Sequence, residues 1–150
     1  MTAASQASSN PIPRALVMAA VFNTVWVNAS EILRYFAFIQ GLMRQALPGV
    51  PDVAPMNLPV FLSWGVWDTI LVIAVTGFTW LYLDRFGNSM PNAAGAGTLV
   101  WLSIFVIVWL GLFNMNLATP QILLTALPLA WLEMVVAALI VDWCRQRYPG

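Results

Sequence analysis

The stretch from Pro59 to Leu83 reads PVFLSWGVWDTILVIAVTGFTWLYL, and it decides the fold. Asp68 is its only charged residue. A helix of this length, rising about 1.5 Å per residue, crosses a hydrocarbon core of roughly 30 Å. The unbroken run Ile70-Leu71-Val72-Ile73-Ala74-Val75 contradicts the apolar–polar alternation of a membrane β-barrel strand. Three more segments read the same way, near residues 15–40, 98–117 and 121–141. The predicted class is an all-α integral membrane protein, a bundle of four transmembrane helices over residues 15–143. Residues 1–14 are predicted to form a disordered cytoplasmic tail, and residues 144–150 a cytoplasmic C-terminal tail.

Composition supports this reading. The chain is 61% hydrophobic and 8% charged, whereas soluble domains carry about 25% charged residues. Its formal net charge is zero, which argues against nucleic acid as a partner, because phosphate binding needs excess cations. The expected surroundings are a lipid bilayer, of the kind found in a bacterial inner membrane.

The missing residues narrow the chemistry further. There is no His, and all six cationic side chains are Arg: Arg14, Arg34, Arg44, Arg85, Arg145 and Arg147. Without Lys there is no retinal or pyridoxal Schiff base. Without His, the usual haem ligation, His-based zinc sites and Ser-His catalysis are excluded. Cys144 is the single cysteine, so no internal disulfide or dithiol pair exists, and its place beside Arg145 predicts an exposed or interfacial thiol. No cofactor and no metal are expected, and no catalytic residue is assigned.

Val27-Asn28-Ala29 offers the small residues a signal peptidase uses. No basic cluster precedes it and the apolar run continues past it, so this segment is read as a span and not as a cleaved leader. Arg14, Arg85, Arg145 and Arg147 fall on one side of a four-span topology, against Arg44 in the opposite loop. By the positive-inside rule both termini are cytoplasmic. The loop from Asp84 to Gly97 shares that side. The Pro-rich segment LPGVPDVAPMNLP is expected to cap the outer face as an extended segment or a short interfacial helix. Ala15–Trp26 (ALVMAAVFNTVW) and Thr98–Trp109 (TLVWLSIFVIVW) match at Leu, Val, Phe, Val and Trp. That is the pattern of two parallel two-helix repeats.

Ionisable residues inside a span are costly and mark candidate sites. In helix one, Asn23, Ser30 and Arg34 fall on one stripe at about 100° per residue, with Glu31 beside them and within pairing distance of Arg34. In helix two, Trp64 shares a face with Asp68, and Trp67 is adjacent. Asn114 and Asn116 finish helix three. Glu133 in helix four lies on a ridge with Ala126, Ala130 and Ala137, suited to close helix packing or to a subunit interface. The candidate ligand- or proton-binding set is Glu31, Arg34, Asp68, Trp64, Trp67, Asn114 and Glu133. Their depth predicts a polar cavity open to the outside, walled by Trp64, Trp67 and Trp131. Trp80, Trp101 and Trp143 read as interfacial anchors.

Three functions fit this set. The first is transport or binding of protons or a small organic cation, with tryptophans as cation–π faces and a homo-oligomer as the working unit. The second is an accessory subunit bound to partners in a larger membrane complex. The third is a membrane enzyme acting on a lipid-like substrate by carboxylate acid–base chemistry. The Arg pattern also fixes a test of orientation. Reporters fused after Gly150 and within residues 86–96 are expected to read as cytoplasmic, and one near Asp52 as external. A cytoplasmic signal at Asp52 would reverse the topology.

Overall fold

A computed structural model describes residues 12–149. It is all-helical, with no strand among the described residues. Four helices are long and apolar enough to cross a membrane: α1 (Arg14–Ala46), α2 (Leu58–Phe86), α3 (Met90–Asn114) and α4 (Pro120–Arg147). The tail expected over residues 1–14 falls largely outside the described residues.

Local chemistry sets three of the helix starts. Asn57, Ser89 and Thr119 are extended, and each accepts a hydrogen bond on its side chain from the backbone N–H three residues on: Val60, Asn92 and Ile122. A proline occupies one of the first two helical positions each time, where its missing N–H costs nothing. The pair Ser89 and Pro91 explains the largest departure from the sequence reading. The loop expected to run from Asp84 to Gly97 is helical from Met90 onward, leaving residues 87–89 as the turn. Gly87 makes that turn with φ +88°, a left-handed conformation that glycine adopts without strain. The permissive insertion point on this side is therefore residues 87–89.

The other connections also differ from expectation in detail. α1 continues six residues past Gln40, so the Pro-rich loop is residues 47–57, without a helix of its own. α4 likewise continues through Arg147. Cys144 consequently sits on a packed helical face and is fully buried, not exposed, among Ala19, Leu83, Ala93 and Val141. Thr98 lies roughly two turns into α3, whereas Ala15 is in the first turn of α1. The two matched segments therefore begin at different heights in the bundle.

α4 is the central helix and touches the other three, α3 most extensively. Small residues make that closeness possible. Ala126, Ala130 and Ala137 of α4 are fully buried, as are Ala93 and Ala96 of α3. Gly97 marks the tightest crossing. A Cβ there would stand 2.6 Å from the Met134 carbonyl oxygen and 2.8 Å from the Val135 Cα. Both are backbone atoms that no rotamer change can move. The crossing also places Glu133 against α1, on the face opposite lipid.

Gly97→Ala is therefore expected to destabilise the bundle by about 1–3 kcal/mol through overpacking, and Gly97→Val by more. Thermal unfolding in detergent reads this directly. Wild-type stability in Gly97→Val would show that the helices are not in backbone contact there.

Candidate functional site

The sequence reading placed Glu31 and Arg34 one helical turn apart, and the structure pairs them directly, Nη2 to Oε1. It also adds a second partner. The same guanidinium nitrogen lies 3.6 Å from Oε2 of Glu133 on α4. The Arg34 guanidinium sits over the Phe105 ring of α3, 5.0 Å from its centroid. Three helices thus converge on one cation, and Arg34 is only 9% exposed.

Asp68 of α2 completes the group. It is 4% exposed and stands within electrostatic reach of Glu31, Arg34 and Glu133. It forms no ion pair with Arg34, whose guanidinium is taken by Glu31 and Glu133. Glu133 is 2% exposed, so it faces the bundle interior and not a subunit interface. Neither of its carboxylate oxygens has a hydrogen-bond partner among the described residues. Ser30, beside it, donates instead to the Val27 carbonyl at 3.1 Å. The three carboxyls do not converge into a metal-ligand set among the described residues.

Two clefts reach this cluster from the flanks. One, of about 170 Å³, is lined by Glu31, Arg34, Trp67, Phe105 and Trp109, with apolar residues of α3 around them. The other, about 100 Å³, runs between α1 and α4 and is lined by Trp26, Leu33, Phe38, Leu129 and Leu132, with Arg34 and Glu133 at its floor. Asp68 lines neither.

Several expected participants lie elsewhere. Trp64 packs edge-on against Tyr35, with ring centroids 4.5 Å apart, towards the 47–57 loop. Asn114 is exposed at the end of α3, and Asn116 is in the following turn with φ +57°. Trp131 donates its indole N–H to Thr98 and lines an apolar groove between α3 and α4, so it does not wall the polar cluster. Trp101 is not near a helix end. It lies in mid-α3, where it donates to the Leu127 carbonyl at 2.9 Å. That change follows from α3 starting at Met90. Trp80 lies under the Arg145 guanidinium, 4.2 Å from its ring centroid.

Above the cluster the bundle is capped. The Tyr35 hydroxyl, the Gln40 amide and the Arg44 guanidinium all donate to the Ala54 carbonyl, at 2.8, 3.5 and 3.4 Å. The clefts that reach the cluster are lined by residues of the helices and not of the 47–57 loop. Below the cluster lies an apolar layer that includes Val27, Leu71, Val72, Val75, Met134 and Ala137. A separate polar contact follows beneath it, Asn23 donating to Thr76 at 2.9 Å.

Sequence reasoning missed Trp26, Phe105 and Trp109. Trp26 donates its indole N–H to the Glu133 backbone carbonyl at 3.0 Å, fixing α1 to α4 beside the carboxyl group. A signal existed for all three, since Trp26 of α1 is a matched position of the α1–α3 alignment and so are Phe105 and Trp109 of α3. No pattern in the sequence says which face of α3 they occupy.

Fold and cluster together define a class: a four-helix apolar bundle that holds Arg34 beside Glu31, Glu133 and Asp68. Comparisons with protein families, with curated proteins and with solved structures find no match to the chain.

The geometry predicts unequal effects of removing charges. Glu31→Gln leaves Arg34 beside Glu133, whereas Arg34→Gln leaves Glu31 and the buried Glu133 and Asp68 without that cation. Breaking a buried pair by deleting one partner costs about 3–5 kcal/mol. Arg34→Gln should therefore lower the thermal midpoint in detergent more than Glu31→Gln does. The double variant should fall between the two. Equal, additive losses would show that the side chains do not interact.

Proposed function

We propose that the protein binds and moves protons or a small organic cation across a membrane, using Glu31, Asp68 and Glu133 around Arg34. One observation carries this reading: Glu31 and Glu133 flank the single guanidinium of Arg34, with the buried Asp68 within electrostatic reach. Arg34 balances one negative charge. The other two must be neutralised by protons or by a bound cation, because isolated charges in an apolar interior cost several kcal/mol each. A site short of positive charge is a site that takes protons or cations.

The surroundings support the same reading. Trp67, Trp109 and Phe105 line the larger cleft beside Glu31, and aromatic faces attract organic cations. Both π-helical turns of the structure adjoin the cluster, Tyr35–Ile39 directly after Arg34 and Leu102–Val106 around Phe105. Such turns concentrate at functional sites. In this reading the termini are cytoplasmic, the cluster lies in the outer half of the bilayer, and the working unit is an oligomer, since four helices leave little room for a complete pathway.

The test is reconstitution of the chain alone in liposomes, with uptake of protons or a quaternary ammonium ion as the readout. Asp68→Asn keeps shape and hydrogen-bonding capacity while removing a titrating group. It is expected to fold with an unchanged thermal midpoint and to lose ligand binding or its pH dependence. A stable Asp68→Asn protein with unaltered binding, transport and pH profile would remove Asp68 from the site. A chain that is stable only with a co-purifying partner would favour the accessory-subunit reading.

A further inference from the structure

We infer that the ligand is an amphiphilic cation already dissolved in the bilayer, and that it reaches Glu133 sideways through the cleft between α1 and α4. This rests on the cation-binding reading above and adds the ligand class and the route. The first observation is that the 47–57 loop is tied down by hydrogen bonds over the end of the bundle nearest the cluster. Tyr35, Gln40 and Arg44 converge on the Ala54 carbonyl, and Trp64 covers Tyr35. The second is the wall of the cleft, which is Trp26, Leu33, Phe38, Leu129 and Leu132, with Ser30 the one uncharged polar side chain.

The third observation is where that wall leads. Leu33, Phe38 and Leu132 are 63%, 45% and 51% exposed, so the mouth of the cleft opens on the flank of the bundle that faces hydrocarbon. At the floor is Glu133, almost fully buried, with both carboxylate oxygens unpartnered. Neither oxygen is hydrogen-bonded among the described residues, and Arg34, held more closely by Glu31, reaches only Oε2, as an ion pair at 3.6 Å. The volume of about 100 Å³ suits a compact headgroup and not a long tail. A fully hydrated small cation would have to shed its water against leucines to enter. An amphiphilic cation keeps its tail in hydrocarbon along Leu33 and Leu132 while its headgroup reaches the carboxylate.

The experiment compares two cations with one headgroup, tetramethylammonium and decyltrimethylammonium, by equilibrium binding to the protein in lipid nanodiscs, corrected for empty nanodiscs. Decyltrimethylammonium is expected to bind at least tenfold more tightly, and Glu133→Gln to abolish its binding. Leu129→Trp, which fills the cleft, is expected to weaken it at least tenfold. Leu33→Trp at the lipid-facing lip should do the same if Leu129→Trp fails to fold. Equal binding of the two cations, both lost in Glu133→Gln, would overturn the lateral route and leave the cation site standing. Unchanged decyltrimethylammonium binding in a folded cleft-filling variant would also overturn it. Binding of neither cation would overturn this inference and the organic-cation form of the proposed function, leaving the proton form to the liposome assay.

Discussion

The Arg34 guanidinium is the interaction around which the rest of the structure is arranged. It is shared by Glu31 on its own helix and Glu133 on α4, and it lies on the Phe105 ring of α3. A lone arginine in a four-helix interior would be among the costliest residues a membrane chain can carry. Its presence therefore requires that α1, α3 and α4 meet at one height, and the small residues of α3 and α4 let them do so. Gly97 against the Met134 and Val135 backbone brings α3 close to α4, one residue beyond Glu133. Trp26 then bonds the Glu133 carbonyl and fixes α1 to the same turn.

The π-helical turn after Arg34 resolves a conflict of direction. Arg34 must face the interior, while the residues after it must reach the outer loop. In a regular helix, Tyr35 and Gln40 would point about 140° apart. A π-helical turn holds one more residue, which swings later side chains back by most of that angle. Tyr35, Gln40 and Arg44, spaced five and then four apart, all reach the Ala54 carbonyl. The widened turn thus serves the buried ion pair and the cap together. Phe105 occupies the second such turn, on the facing side of the same arginine. Both departures from regular helix lie where the charge is housed.

The four helices were legible because length and hydropathy are properties of single segments. Glu31 with Arg34 was legible because a spacing of three is local. The partnership of Arg34 with Glu133 was not, since it depends on how α1 and α4 are rotated against each other. The stripe of Asn23, Ser30 and Arg34 marks an inward face of α1, but not which neighbour that face meets. Trp64 and Trp67 show the same limit. Both neighbour Asp68 on α2, yet only Trp67 lines a cleft with Glu31 and Arg34, while Trp64 turns to Tyr35. The misplaced start of α3 has a different cause. Asn92-Ala-Ala-Gly-Ala-Gly97 reads as a loop by glycine content, whereas Ser89 and Pro91 mark a capped helix start. The glycine at 97 is there for close packing, not for a turn.

The apolar layer beneath the cluster is as consequential for function as the charges above it. Val27, Leu71, Val72, Val75, Met134 and Ala137 separate the carboxyls from the Asn23–Thr76 hydrogen bond. From Asp68 to Thr76 is eight residues of α2, or about 12 Å of helix. No polar side chain of the buried layer bridges that distance, so a proton held by the carboxyls has no continuous path to the far side in this arrangement. Transport in such a molecule requires a second arrangement in which the layer is wetted or the helices shift. The contacts that would have to change are few. In the proposed reading Arg34, which holds two carboxylates on different helices at unequal distances, would shift between them while α1 moves against α4. Occupation of Glu133 by a cation would release Arg34 wholly to Glu31 and loosen the hold of α1 on α4. In that reading, ligand binding and helix movement would be coupled through that one guanidinium.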